Sequence, residues 1–260
     1  MADYATAVVA PASIDRRRQV DRRFYIGVGL FMIAFNAVAF GPSILSPSAR
    51  SVPLPLTPLV TAHAAVSAAW LFPFLAQAAL IATSRTAVHR RVGVAGAVLT
   101  AVFLVLGWFT TLEQARRGFD LSGAISRLPA PPGLDPATAT VGLLLFFLTF
   151  GVLAGTALWY RRRPAVHKRL MLLALLGGVT PTPVAHVIGT WPALQPWANL
   201  IFPLSLVVFL AIGPIYDRIS DGRIHPVSLW GGLSLFVWNT AFNLAIIPSA
   251  AWRQFARWLI

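Results

Sequence analysis

Of 260 residues, 57% are hydrophobic and 11% charged, and 21 Lys and Arg stand against 8 Asp and Glu, a formal net charge of +13. That much apolar surface cannot be hidden inside a water-soluble globule, and the arginines fall in short clusters between apolar runs, so they read as topology signals and contacts to lipid phosphate rather than a nucleic-acid face. The absence of cysteine excludes thiolate-held iron–sulfur clusters, c-type haem attachment, disulfides and cysteine nucleophiles, and none of H-E-x-x-H, G-x-x-x-x-G-K-[ST] or G-x-S-x-G occurs.

Residues 1–23 form a basic tail ending in Arg22 and Arg23, and the first membrane span is expected over 24–45. The pair Arg22-Arg23, the apolar run Ile26 to Phe35 and the triplet Ala37-Val38-Ala39 imitate a secretory signal. The apolar stretch continues through Phe40 to Leu45, which favours an uncleaved anchor. A Pro/Ser-rich loop follows, from Pro42 to Pro58, and is expected to be polar and exposed. The second span, 58–83, carries His63, Ser67, Trp70, Gln77 and Ser84 at helical spacing, one polar stripe that should face the bundle interior.

Before the third span, 92–112, stands Arg85-Thr86-Ala87-Val88-His89-Arg90-Arg91, and after it Glu113, Gln114, Arg116 and Arg117. The segment Pro129-Ala130-Pro131-Pro132-Gly133 breaks regular structure before the fourth span, 139–160. Then the earlier string returns as Arg163-Pro164-Ala165-Val166-His167-Lys168-Arg169, opening a fifth span over 168–189, in which Pro181 and Pro183 precede His186. Such prolines free backbone carbonyls beside sites in membrane proteins. The sixth span covers 197–216, and the seventh, 226–247, is entered by Gly222-Arg223-Ile224-His225-Pro226 and continues with Ser228, Gly232, Asn239 and Asn243 on one face. The amides are expected to bond neighbouring helices. In 248–260, Trp252, Phe255, Trp258 and Leu259 alternate with Arg253 and Arg257, as in an amphipathic helix lying on the outer membrane surface.

Counting basic residues near span ends puts fifteen on the side of the amino terminus and six, Arg50, Arg116, Arg117, Arg127, Arg253 and Arg257, on the other. The expected location is therefore the bacterial inner membrane with a cytoplasmic amino terminus. Trp159, Tyr160, Trp191, Trp197, Tyr216 and Trp230 at span ends suit an interfacial belt.

The repeated string makes spans two-three and four-five look like two copies of one hairpin running in the same direction, which predicts a central four-helix bundle of spans two to five. All five histidines fall near span ends: His89, His167 and His225 on the inner side, His63 and His186 on the outer. His167 and His186 lie about 28 Å apart along an ideal helix, too far to share a ligand. The functional reading pairs His63 with His186 and His89 with His167 as axial ligands of b-type haem, with arginines meeting the propionates; Glu113 reads either as a proton acceptor for a quinol or, the plainer reading, as part of a solvated helix end. Another reading has the histidines contact phosphate and water, as neighbouring Arg and Lys do. A transporter is disfavoured because no span interior carries an acidic residue. An accessory or assembly subunit of a larger membrane complex stays open.

The strings Ala62-His63-Ala64, Thr86 to Gly93, Val166-His167-Lys168-Arg169-Leu170-Met171 and Gly222 to Pro226 resemble an uncharacterised family of multi-spanning bacterial membrane proteins. The likeness covers most of spans two to seven and implies a fold and a membrane location. More remotely, histidines at both boundaries of a four-helix unit resemble diheme four-helix b-type cytochromes, which implies haem b as cofactor and quinone or a redox protein as partner. Those cytochromes place their ligands within the helices, whereas the sequence sets His89 and His167 amid charge at the ends.

Overall fold

The computed structural model describes residues 11–46, 56–117 and 135–260, with side chains from Gln19 onward. Among the described residues all regular structure is helical: α1 (Pro11–Leu45), α2 (Pro58–Ala82), α3 (Thr86–Arg117), a short α4 (Pro136–Val141), α5 (Leu143–Trp159), α6 (Pro164–Leu173), α7 (Pro181–Thr190), α8 (Ala198–Asp221), α9 (Pro226–Ala241) and α10 (Ala250–Leu259). Seven stretches are long and apolar enough to cross a membrane, α4 with α5 and α6 with α7 each counting as one. Apolar side chains left facing outward, among them Leu30, Val94, Val152 and Leu204, would be an aggregation surface in water and suit lipid. The Pro129–Gly133 segment, most of the Pro42–Pro58 loop, and Arg50 and Arg127 lie outside the described residues.

Local chemistry sets the helix ends. Thr57 and Ser249 cap α2 and α10 with side-chain oxygens, proline occupies the first turn of α2, α4, α6, α7 and α9, and Gly222 ends α8 at φ 71, a left-handed conformation favouring glycine. Asp135 caps α4 by accepting from the Thr138 amide at 2.9 Å and its hydroxyl at 2.7 Å, and these bonds hold its carboxyl below the usual carboxylate range. Asp135→Ala should cost about 1 kcal/mol, read as a lower unfolding midpoint in detergent.

Helices three and five start earlier than the apolar runs suggest, at Thr86 and Pro164, so both histidine strings form helical first turns rather than loops. α1 is continuous through Ala37-Val38-Ala39. The most enclosed span is the fifth: 78% of its apolar window is buried, against 39% or less in the others. It is also interrupted. Between α6 and α7 the backbone widens into a π turn, Ala174–Val179, whose buried side chains face Phe150, Trp70 and Met32, and the Thr180 hydroxyl donates to the Leu175 carbonyl at 3.1 Å.

Close packing of α5 on this turn depends on Gly178. A Cβ there would come 2.9 Å from the Phe150 Cα, a backbone atom that cannot step aside. Gly178→Ala should cost about 1–3 kcal/mol, whereas Gly155→Ala, with nothing within 4 Å of the added carbon, should be tolerated. Parallel unfolding curves of the two variants check this.

At the far end, α10 does more than lie on lipid. Trp252 and Ala256 are buried against Val141, Leu144, Phe242 and Ile247, and the Arg116 Nε donates to the Ile260 carbonyl. Tyr216 also departs from expectation, being buried at 3% exposure rather than part of the interfacial belt, while Trp159, Trp191, Trp197 and Trp230 are exposed.

Candidate functional site

The two copies of the string adopt the same local geometry. The His89 amide donates to the Arg85 carbonyl and the His167 amide to the Arg163 carbonyl, both at 2.9 Å, one turn into α3 and α6. Each ring reaches back to the preceding helix of its hairpin. His167 Nδ1 lies 2.7 Å from the Ala157 carbonyl of α5. A carbonyl only accepts, so Nδ1 carries a proton. The His89 ring meets the Gln77 backbone of α2, and its Nδ1 is buried without a hydrogen-bond partner. The side chain of Gln77 leaves its Oε1 buried and unbonded beside this group.

The other predicted ligands are placed differently. His63 stacks on Phe103 at 5.7 Å and meets the edge of Phe147 at 5.8 Å, with the Ser67 hydroxyl 3.4 Å from Nε2 and Nδ1 buried without a hydrogen-bond partner. His186, 5% exposed, lies against Phe40 with ring centroids 4.4 Å apart. α2 and α7 each pack on α1. Among the described residues no three His, Asp or Glu side chains gather as a metal site. A bis-imidazole site needs only two.

His225 opens α9, where its Nδ1 accepts from the Val227 amide at 3.1 Å. That bond requires an unprotonated Nδ1. Burial, with Arg169 and Arg223 nearby, holds His225 below the usual histidine value against the opposing pull of Asp217 and Asp221. A folded value below the unfolded one means that this stabilisation is complete above about pH 6.5 and is lost as the pH falls toward the folded value. His225→Asn keeps a capping acceptor and should remove this part of the acid-side loss, which unfolding midpoints measured against pH would show.

Sequence reasoning missed the largest polar feature. Arg169, the last residue of the second string, is 3% exposed and donates through Nε to Asp217 Oδ1 at 2.8 Å, through Nη2 to Asp221 Oδ2 at 2.8 Å, and through Nη1 to the Ala165 carbonyl at 2.9 Å. Asp217 is 0% exposed, and its other oxygen accepts from the His225 amide at 3.1 Å. Beside it, Lys168 pairs with Asp21 at 2.7 Å and donates to the Tyr216 hydroxyl at 3.1 Å, and Tyr216 in turn donates to Asp21. Phe24 stacks on Tyr216 at 4.0 Å. The network ties together α1, α6, α8 and the start of α9. It lies just past the predicted span: the apolar run ends at Tyr216, but α8 continues to Asp221 and buries Asp217 at its end. The visible signal was Asp217 and Asp221 spaced one helical turn apart, opposite a basic string.

At the opposite end Glu113 accepts from the Thr57 hydroxyl at 3.1 Å and pairs with Arg117 at 2.5 Å, beside a groove of about 460 Å³ lined by Leu59, Phe109 and Arg116. Asn239 and Asn243 donate to the Leu235 and Asn239 carbonyls of their own helical turns, and among the described residues neither amide makes the expected bond to a neighbouring helix. Ser228 is buried beside Asp217.

Fold and surface together define an α-helical, multi-pass membrane protein with a polar, charge-paired interior at one end. No family model matches the chain, and no similar curated protein or solved structure was found.

Proposed function

We propose that this chain is an electron-transfer protein of the bacterial inner membrane, with a cytoplasmic amino terminus, that holds b-type haem between His89 and His167 and exchanges electrons with quinone. The observation that carries the proposal is that the two rings stand at equivalent first turns of α3 and α6, each turned back on the preceding helix of its hairpin, His167 with Nδ1 2.7 Å from the Ala157 carbonyl. That arrangement fixes ring orientation and tautomer and leaves Nε2 as the electron donor, the usual state of a ligating imidazole. The buried, unbonded Nδ1 of His89 and Oε1 of Gln77 are polar atoms whose cost a ligand would offset.

The donor set fits haem iron, which takes two neutral imidazoles in low-potential electron carriers. Bound there, the haem would supply a one-electron couple that no side chain of this chain provides. The protein's part is to orient the two rings through the Ala157 and Gln77 backbones. Spans two to five enter as the frame: two parallel hairpins, α2 with α3 and α5 with α6, each presenting one histidine. The proposal rests on this pair.

The test is reduction of the purified protein in proteoliposomes by a short-chain quinol, followed optically. Development of reduced-haem bands on quinol addition is expected. A haem that dithionite reduces and quinol does not would overturn the quinone partner, and protein without haem would overturn the whole reading.

A further inference from the structure

The two strings gather more than histidines. Arg85, Arg90 and Arg91 stand at the start of α3, and Arg161, Arg162 and Arg163 on the turn joining α5 to α6; all six are exposed. α3 packs on α5, Gly107 against Phe147 and Leu104 against Gly151, and this antiparallel run brings the start of α3 and the end of α5 to the same end of the molecule, so the six guanidiniums share one surface. Every carboxylate with a described side chain at this end is already taken: Asp21 by Lys168 and Tyr216, Asp217 by Arg169, and Asp221 by Arg169. None of the six arginines makes an ion pair among the described residues. Arg161 reaches only the Leu158 carbonyl, and Arg163 lies over the Tyr160 ring at 5.7 Å.

An uncompensated field of this density draws an anionic partner, and the surrounding side chains indicate where that partner sits. Trp159, 82% exposed, and Tyr160 flank the arginine turn, and the apolar flanks of α3 and α5 begin directly beyond it with exposed Val94 and Val152. Amphipathic aromatics beside a lipid-facing apolar band mark the headgroup level. Guanidinium is also the side chain suited to a phosphodiester, since its fork engages two oxygens at once.

We infer that the six-arginine surface at the ends of the two hairpins binds anionic phospholipid headgroups of the phosphatidylglycerol or cardiolipin type. The bound lipids neutralise the repulsion among the guanidiniums and so hold the α2–α3 hairpin beside the α5–α6 hairpin. The inference does not depend on haem.

Native mass spectrometry of the full chain, released from detergent containing equal amounts of phosphatidylglycerol and phosphatidylcholine with the same acyl chains, tests it. Lipid and haem adducts differ in mass, so each reading fails or stands separately. The wild-type protein should retain phosphatidylglycerol over phosphatidylcholine by roughly tenfold or more. The preference should fall with rising ammonium acetate, collapse in the combined R85Q/R90Q/R91Q/R161Q/R162Q/R163Q variant, and survive in R116Q/R117Q at the other end. Should the combined variant fail to fold, R85Q/R90Q/R91Q and R161Q/R162Q/R163Q measured separately should each lose most of it. Equal retention of the two lipids, or a preference unchanged by these substitutions or lost only in R116Q/R117Q, overturns the inference.

Discussion

Replacing Arg169 with methionine should destabilise the folded protein by about 3–5 kcal/mol, the usual cost of removing one partner from a buried ion pair. Among the described residues the guanidinium is the only cation bonded to Asp217, which is fully buried, and it also holds Asp221. Without it, Asp217 keeps the His225 amide as a donor but has no counter-charge. The effect arises from the orphaned acid rather than from the intrinsic strength of the pair, because the attraction between buried charges is largely offset by their desolvation. A second substitution separates the two contributions. R169M/D217L replaces both charges with apolar groups and should recover most of the loss, leaving the smaller effect of the unpaired, partly exposed Asp221. Denaturant titrations in detergent of the wild type, the single variant and the double variant provide the measurement. A single variant within about 1 kcal/mol of wild type, or a double variant no better than the single, would contradict a charge network that fastens α6 to α8.

His167→Ala should abolish haem binding, and His89→Ala should do the same. A neutral imidazole with Nδ1 on a carbonyl is a defined ligand, and alanine offers the iron nothing in its place. Structural collapse is a poor alternative explanation. The His167–Ala157 bond joins two helices also held by packing, and losing one such hydrogen bond costs about 0.5–1.5 kcal/mol. The variant should therefore remain folded and colourless, and added imidazole should restore part of the absorbance. His225→Ala, which removes a helix cap, should leave the haem in place. His63→Ala and His186→Ala should also retain it, since both residues lie apart from the pair. Equal loss in the His167 and His225 variants would mean that absorbance reports folding rather than ligation.

The spans were legible because lipid demands long apolar helices, and that demand is written in composition over some twenty consecutive residues. The repeated string was equally plain, and both copies take the same helical first turn. Three features were hidden for identifiable reasons. Helix ends in charged sequence do not follow the apolar pattern, so α3, α6 and α8 run past their hydropathy limits and carry His89, His167 and Asp217 into helices. Arg91 and Arg169 occupy equivalent places in the repeat, yet one is exposed and the other buried, because only Arg169 faces the end of α8. The relation of His63 to His186 depends on helix order around the bundle, which periodicity along a single helix cannot encode.

The central claim, one haem held jointly by His89 and His167, is tested most directly by the reduced-minus-oxidised optical spectrum of protein purified from haem-replete cells, with haem counted per chain. Sharp bands of a six-coordinate b-type haem, about one per chain, are the predicted result. A colourless preparation, or bands that persist in the His89→Ala/His167→Ala double variant, would contradict it.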